Sequence, residues 1–277
     1  MENVRFHPEE EANDPEFAAQ LARLGDVFVN DAFGTAHRAH ASTEGLAHHL
    51  PGVAGLLMEK EIAALGGALE NPKRPFVAIV GGAKVSSKLA VLENLIARVD
   101  RLLIGGGMAN TFFKAQGLEV GRSLLEPDLV ATAKDLLARG NKLLLPVDVV
   151  VTTDLKGAAA TRVKPVDAVA ADEIIADVGA RTVEAFASEI AAAGTVLWNG
   201  PMGIFEDPRF ATGTLEVARA MAGSPATTIV GGGESVQAVE QAGLADKLSH
   251  VSTGGGASLE FIEGKVLPGV AALRTDC

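Results

Sequence analysis

The chain contains few aromatic residues, a single cysteine and fewer basic than acidic residues. It has no tyrosine, and aromatic residues make up only 4% of its 277 residues, so aliphatic side chains and alanine must supply most of the core. The single cysteine, Cys277, allows no disulfide within the chain, which favours a reducing, cytoplasmic setting. The formal net charge of −11 disfavours a nucleic-acid-binding surface.

Membrane and secretion signals are also missing from the sequence. We find no apolar run long enough to cross a bilayer, and Met1 to Arg5 do not begin a signal peptide. The composition, 48% hydrophobic and 21% charged, is that of a globular protein. We therefore expect no membrane partner, and the length predicts one large α/β domain or two smaller ones.

Two common nucleotide-binding signatures are absent as well. Gly81 to Lys88 do not have the spacing of a Walker A loop, and no predicted strand is followed by G-x-G-x-x-G. The second absence argues against a dinucleotide-dependent oxidoreductase. A nucleotide site in this chain would have to be of another kind.

After Pro75 one unit recurs, consisting of a short apolar run, a glycine turn and a helical pattern. Apolar strands alternating with helices indicate a parallel sheet covered on both faces, which predicts a doubly wound α/β fold. Right-handed crossovers place all the turns at one edge of the sheet, where ligands bind. The runs and their turns are Phe76–Val80 with Gly81-Gly82, Leu102–Ile104 with Gly105 to Gly107, Thr195–Trp198 with Asn199 to Pro201, Thr228–Val230 with Gly231 to Gly233, and Val251-Ser252 with Gly254 to Gly256.

Glycine turns at strand ends let the backbone approach a ligand closely and direct helix N-terminal amides at phosphate oxygens. A single such turn is weak evidence, because many strand-to-helix turns need glycine for close packing. Five turns at one edge favour a phosphate-bearing ligand.

The residues before Pro75 predict a smaller α/β segment. Asp14 and Pro15 are typical of a helix start, and Val27–Val29 reads as a short strand. A long helix is predicted from about Val53 to Leu69. The Asn71–Pro75 segment breaks this pattern and predicts a boundary.

Two polar groups stand out as candidates for ligand contacts. Lys84 and Lys88 are four residues apart and would share one face of a helix, where they could neutralise a transferring phosphoryl group. The alternative is a pair of solvated lysines. The polar stretch Asn30–His40 includes Arg38, which could grip a phosphate or carboxylate, although a capped surface loop explains the stretch equally well.

Seven motifs occur in the order typical of one family. They are Glu2 to Phe6, Asn30–His40, Gly81 to Lys88, Gly105 to Met108, Trp198 to Glu206, Gly231 to Ser235 and Ser252 to Glu260. From Glu2 essentially to its end, the chain resembles the phosphoglycerate kinase family. The resemblance implies reversible transfer of a phosphoryl group between ATP and 3-phosphoglycerate in glycolysis, by a monomeric, magnesium-dependent enzyme of the cytoplasm. It also implies two Rossmann-like domains that close by hinge bending.

The same resemblance implies a division of the chain. Residues 1–52 would be the remnant of an N-terminal domain that binds 3-phosphoglycerate, and residues 53–70 the interdomain helix. Residues 71–265 would form the C-terminal nucleotide-binding domain, and residues 266–277 a tail.

The resemblance further implies roles for individual residues. Arg5 and Arg38 would hold the substrate phosphate, while Lys84 and the Gly254, Gly255 and Gly256 turn would face the transferred group. Glu234 would be associated with Mg²⁺, and Glu206 would bind the ribose. The implied nucleotide-binding residues are Gly81, Gly82, Lys88, Gly106, Gly107, Asn199, Pro201, Glu206, Gly232, Gly233, Glu234 and Ser235.

Two departures from the family pattern bear on activity. The family begins with further strands that carry substrate-binding arginine and histidine groups, and we expect this chain to lack them. The alternative function is therefore a nucleotide-binding fragment without turnover. The second departure is Glu234, where the family usually has aspartate. The extra methylene would change the geometry of a metal contact.

Overall fold

A computed structural model describes residues 2–157 and 159–273 of the chain, so Cys277 lies outside the described residues. The chain divides into two compact units, one of Met1–Glu70 with Ser252–Cys277 and the other of Asn71–Val251. The boundary at Asn71 coincides with the predicted Asn71–Pro75 break. Residues 252–265 group with the first unit, whereas the sequence assigned them to the nucleotide-binding domain. The four-part division made from the sequence stays a prediction.

The following bounds apply to the described strands and helices. The strands are β1 (Phe28–Asn30), β2 (Gly52–Ala54), β3 (Phe76–Val80), β4 (Arg101–Ile104), β5 (Leu143–Leu144), β6 (Asp148–Thr152), β7 (Arg162–Pro165), β8 (Ile174–Val178), β9 (Thr195–Asn199), β10 (Thr227–Gly231) and β11 (His250–Val251). The helices are α1 (Pro8–Glu11), α2 (Pro15–Ala22), α3 (Leu56–Glu70), α4 (Leu89–Arg98), α5 (Ala109–Ala115), α6 (Val130–Ala138), α7 (Ala180–Ala192), α8 (Thr212–Ala222), α9 (Gly233–Gln241), α10 (Gly256–Ile262) and α11 (Pro268–Ala271).

The second unit is built on a parallel sheet with the strand order β11-β10-β9-β3-β4-β5. Every neighbouring pair is parallel, so the strands end at the same edge. All residues of β3 and β9 are buried, as expected for central strands covered on both faces. Trp198 of β9 is fully buried, and its indole N–H donates to the carbonyl of Gly200 at 2.7 Å. The predicted doubly wound α/β class is confirmed.

A smaller antiparallel sheet, ordered β7-β6-β8, also belongs to the second unit and was not predicted from the sequence. The first residue of its central strand, β6, is hydrogen-bonded to α7. There the carboxylate of Asp148 accepts from the backbone N–H and the hydroxyl of Thr182 at 2.8 and 2.7 Å. This sheet forms one wall of the candidate site.

The first unit contains the parallel pair β1-β2 and the long helix α3. The helix begins at Leu56, so the predicted start near Val53 was wrong, because Val53 lies in β2. Asp31 accounts for the difference. Its carboxylate accepts from the backbone N–H groups of Leu57 and Met58 at 2.7 and 3.1 Å and so caps the helix from a distant part of the chain.

The buried carboxylate of Glu61 joins α3 to the chain segment that follows Val251. Glu61 accepts from the hydroxyl of Ser252 at 2.7 Å and from the backbone N–H and hydroxyl of Thr253 at 2.7 and 2.8 Å. Its side chain is fully buried, so these bonds replace the water that a carboxylate would otherwise require. Among the described residues, no helix is long and apolar enough to cross a membrane.

Candidate functional site

The second unit contains a cavity of about 500 Å³ at the carboxyl ends of β3, β4 and β9. These three strands are neighbours in the sheet, so their glycine turns meet at one place. Gly82 follows β3, Gly106 and Gly107 follow β4, and Pro201 follows β9, and all four line the cavity. A cavity of this size at this edge suits a small-molecule ligand.

The glycine turns pack so tightly that side chains are excluded from them. A Cβ atom at Gly81 would lie 2.1 Å from the carbonyl oxygen of Pro201, and one at Gly106 would lie 2.6 Å from that of Gly82. The turns are joined by backbone hydrogen bonds, from Gly82 to Pro201 at 3.0 Å and from Gly106 to Met202 at 2.9 Å. Close packing therefore accounts for several of these glycines.

Gly82 differs from its neighbours because its surroundings are open. Its φ of +114° favours glycine, yet the nearest atom to a Cβ placed there would be Cε of Lys88, 3.9 Å away. Gly82 also lines the cavity.

The turns after β9 and β10 are locked together by side chains. The ammonium of Lys88 donates to Oδ1 of Asn199, whose Nδ2 donates to the carbonyl of Gly231 at 2.9 Å. The backbone N–H of Gly200 donates to the hydroxyl of Ser235 at 2.5 Å. Gly232, with φ of +92°, would bring a Cβ within 2.7 Å of Nδ2 of Asn199. Four predicted site residues, Lys88, Asn199, Gly232 and Ser235, therefore lie together.

Lys84 and Lys88 do not share a helix face, so this prediction was wrong. Helix α4 begins only at Leu89, and both lysines lie in the turn that precedes it. Ser86 holds this turn through its backbone N–H, which donates to Glu126 at 3.1 Å, and through its hydroxyl, which donates at 2.5 Å. Lys84 is exposed and is not part of the cavity lining, whereas Lys88 is half-buried.

Acidic residues lie at two points of the cavity wall. Glu206 follows the β9 turn, and Glu234 is in the first turn of α9, beside the exposed Gly233. Both glutamates are exposed. Across the described residues there is no preformed group of three or more acidic, histidine or cysteine side chains that could hold a metal. A metal here would need most of its ligands from a bound molecule and water.

Sequence reasoning missed the wall formed by the antiparallel sheet. Ile174 to Val178 of β8 line the cavity, as does Leu155, which follows β6. Asp177 lies within this wall, and its carboxylate accepts from the backbone N–H groups of Gly213 at 2.7 Å and Val178 at 2.8 Å. Burial raises its pKa to about 7, against the opposing effect of those two donors. An acidic residue inside an apolar run is the signal that would have revealed this position.

The predicted substrate residues belong to the first unit. Arg5 lines a cavity of about 440 Å³ together with Asn30, Asp31 and Thr35, and its guanidinium is paired with Glu11. Arg38 is exposed and outside that lining.

His40 has a lowered pKa, and burial and both arginines contribute to this shift. Burial, then the charge of Arg5 and, more weakly, that of Arg38, lower the pKa of His40, while Glu10 and Glu11 act in the opposite sense. Arg5 and Arg38 both belong to the first unit, and the charges of both act on His40.

The Gly254 to Gly256 turn packs on the polar stretch Asn30–His40 within the first unit. A Cβ atom at Gly254 would lie 2.5 Å from the Phe33 ring, and one at Gly256 would lie 3.2 Å from Nε2 of His37. Gly255 has φ of +51° and open space around its missing side chain. The turn leads directly into α10.

Comparison with known proteins identifies the family. A family model described as phosphoglycerate kinase matches residues 1–265. The phosphoglycerate kinases of Chloroflexus aurantiacus and Moorella thermoacetica are 62% and 59% identical to this chain over 99% of its length, which corresponds to 70% of theirs. The solved structure of phosphoglycerate kinase from Coxiella burnetii has a TM-score of 0.94 and 49% identity, and covers 98% of this chain and 71% of its own. That from Pyrococcus horikoshii has a TM-score of 0.84 and 37% identity.

The fold, the cavity at its strand ends and these relatives define a phosphotransferase of the doubly wound α/β class. The predicted fold and enzyme class are thereby confirmed. The chain belongs to the phosphoglycerate kinase family. The roles assigned to individual site residues stay predictions.

Proposed function

We propose that this chain binds ATP or ADP in the cavity of the second unit and exchanges a phosphoryl group with 3-phosphoglycerate. The observation that carries this proposal is the meeting of three glycine turns at a cavity of about 500 Å³, in a chain matched by the family model over residues 1–265. Phosphoryl transfer needs alignment and charge stabilisation rather than covalent help from the protein.

The apolar part of the cavity suits the base and the sugar of a nucleotide. Gly106 and Gly107 line the cavity with backbone that carries no side chains, which supports their assignment to the adenine wall. Pro201 and Glu206 follow along the same wall, and the carboxylate of Glu206 is exposed for hydrogen bonding to ribose hydroxyls.

The phosphates would lie toward the turns after β3, β9 and β10. Lys88 supplies a positive charge there, and Asn199 keeps it in place. The turn formed by Gly232, Gly233 and Ser235 starts α9, whose first backbone N–H groups favour anions. Gly81 and Gly82 allow the backbone to approach the same region.

Magnesium fits this arrangement through Glu234. Mg²⁺ is commonly held by one or two carboxylates together with substrate phosphates and water, and it does not need a preformed cage of protein ligands. Glu234 is an exposed carboxylate on the cavity wall with no hydrogen bond to the other described residues, so it is available for such a role. When bound, the metal would neutralise charge on the nucleotide phosphates.

In the first unit, the proposed substrate residues are Arg5 and Arg38, whose positive charges suit the phosphate of 3-phosphoglycerate. Lys84 is proposed to stabilise the phosphoryl group in transfer, and the backbone amides of Gly254, Gly255 and Gly256 to face it. The substrate carboxylate can attack without losing a proton, so no protein base is required. We further propose a monomeric protein of the cytoplasm.

A second candidate function is nucleotide binding without turnover. It is favoured by one observation, that the chain spans 70% of the length of the relatives it matches. Both candidates require a nucleotide site, so isothermal titration with MgADP tests what they share. Binding supports both functions, and no binding by folded protein would contradict both. Turnover then separates them.

A further inference from the structure

Arg209 connects two chain segments that line the nucleotide cavity. It lies in a single-turn helix, Pro208–Phe210, three residues after Glu206. Its Nη1 donates to the carbonyl of Gly157 and its Nη2 to the carbonyl of Leu155, both at 2.7 Å. The guanidinium therefore grips the loop after β6 from the segment after β9.

The guanidinium is itself held in a fixed orientation. Its Nε and Nη2 donate to the carboxylate of Asp207 at 3.0 and 2.6 Å, and its carbon lies 4.7 Å from the centre of the Phe210 ring. An arginine paired with a carboxylate on one side and stacked on an aromatic ring directs its remaining N–H groups in set directions. Those groups are the ones that bind the loop.

The described hydrogen bonds within the loop centre on Asp154, whose backbone N–H and carbonyl both bond with the hydroxyl of Thr152. Asp154 accepts from the backbone N–H of Lys156 at 2.9 Å and shapes the turn. The two carbonyls that Arg209 binds lie on either side of Lys156, which is exposed. Leu155 of the same loop lines the cavity, as does Glu206. The loop and the segment after β9 thus both contribute to the lining of one cavity.

We propose that Arg209 is a positioning residue that fixes Leu155 as the apolar wall against the base of the bound nucleotide. This inference rests on the proposed function of the cavity. Leu155 lines the cavity together with the apolar side chains of Phe113, Leu124 and Ile174, and such a lining suits a planar heteroaromatic ring rather than phosphate. Loss of the grip should therefore weaken binding of the nucleoside part and leave binding of the phosphate part unchanged.

The first measurement uses the ligand-free protein. Limited digestion with trypsin, read by mass spectrometry, reports cleavage after Lys156. We expect Arg209→Ala to raise that cleavage rate about tenfold, corresponding to about 1.4 kcal/mol of lost local stability. The cleavage rate of Arg209→Lys should lie between the rates of wild type and Arg209→Ala, because one ammonium group cannot reach both carbonyls and the carboxylate. The matched control is Arg219→Ala, which removes an exposed arginine of α8 that is paired with Glu216. Its rate of cleavage after Lys156 should equal that of wild type.

The second measurement compares affinities for MgADP and for magnesium pyrophosphate by titration calorimetry. We expect Arg209→Ala to bind MgADP about tenfold more weakly and pyrophosphate as wild type does. If Arg209→Ala is cleaved after Lys156 at the wild-type rate, or at the same rate as Arg219→Ala, then Arg209 does not hold the loop. The positioning role would be refuted if Arg209→Ala were cleaved faster but bound MgADP as tightly as wild type. It would also be refuted if the variant lost affinity equally for MgADP and for pyrophosphate. Wild-type protein that binds neither ligand would instead refute the proposed function, while the digestion result stands by itself.

Discussion

The buried carboxyl group of Asp177 makes the stability of the second unit depend on pH. Burial raises its pKa from 3.8 to about 7, although the backbone N–H groups of Gly213 and Val178 favour the ionised form. Between those two values the unfolded chain loses its proton and the folded protein keeps it. Stability must therefore fall as the pH rises from about 4 to about 7 and level off above that.

The size of the effect follows from the shift in pKa. A difference of about three units corresponds to about 4 kcal/mol, because each unit is worth 1.36 kcal/mol. Asp177→Asn cannot ionise, so it lacks this dependence. It also replaces one acceptor by a donor, at a cost of about 1–3 kcal/mol that does not vary with pH. The difference in unfolding free energy, variant minus wild type, should rise by about 3 kcal/mol between pH 5 and pH 8.

Urea unfolding followed by fluorescence measures this difference. Trp198 is the only tryptophan in the chain, is fully buried, and lies in the same unit as Asp177, so its emission reports the relevant transition. The control is Asp167→Asn, which makes the same charge change at an exposed site. If the difference between Asp177→Asn and wild type stays constant from pH 5 to pH 8, the reasoning from burial is refuted.

Two further predictions concern close packing and a buried carboxylate. Gly106→Ala and Gly117→Ala both place alanine at positive φ, +68° and +84°, but only the Cβ of the first meets an atom within 4 Å. Gly106→Ala should therefore lower the free energy of unfolding in urea by at least about 2 kcal/mol more than Gly117→Ala does, and should abolish MgADP binding. Equal losses of stability in the two variants would contradict the close packing at Gly106. Glu61→Gln leaves a donor facing other donors and should cost about 1–3 kcal/mol in thermal unfolding followed by circular dichroism. The exposed Glu59→Gln in the same helix is its control, and equal melting of the two variants would refute the argument.

The main sheet was predictable because each strand carries its own local signal. An apolar run followed by a glycine turn indicates each of the strands β3, β4, β9, β10 and β11. Their parallel orientation follows from the helices that connect them. The antiparallel sheet has no such repeat. Its strands β7 and β8 pair with β6 only through contacts distant in sequence, and β7 is largely exposed, so no apolar run indicates it.

The errors near the site have similar causes. Helix α3 starts later than its apolar pattern suggests because Asp31, from another part of the chain, caps it. The turn that contains Lys84 and Lys88 is not helical because Glu126, 40 residues away in the sequence, binds Ser86. The glycine positions of the site were predictable, since backbone packing restricts them to one residue type. The contacts of Arg209 depend on tertiary structure and left no pattern in the sequence, whereas Asp177 is marked by its place inside an apolar run.

Turnover of the purified 277-residue chain with magnesium ATP and 3-phosphoglycerate, coupled to a dehydrogenase, tests the central claim most directly. The matched variants are Lys84→Ala and Lys134→Ala, both of which remove an exposed lysine, the second from α6 outside the cavity lining. Phosphoryl transfer as proposed predicts turnover that Lys134→Ala retains and Lys84→Ala lowers by at least about a hundredfold. Folded wild-type protein that binds MgADP but shows no turnover would contradict it, and would establish nucleotide binding without transfer as the function of this chain.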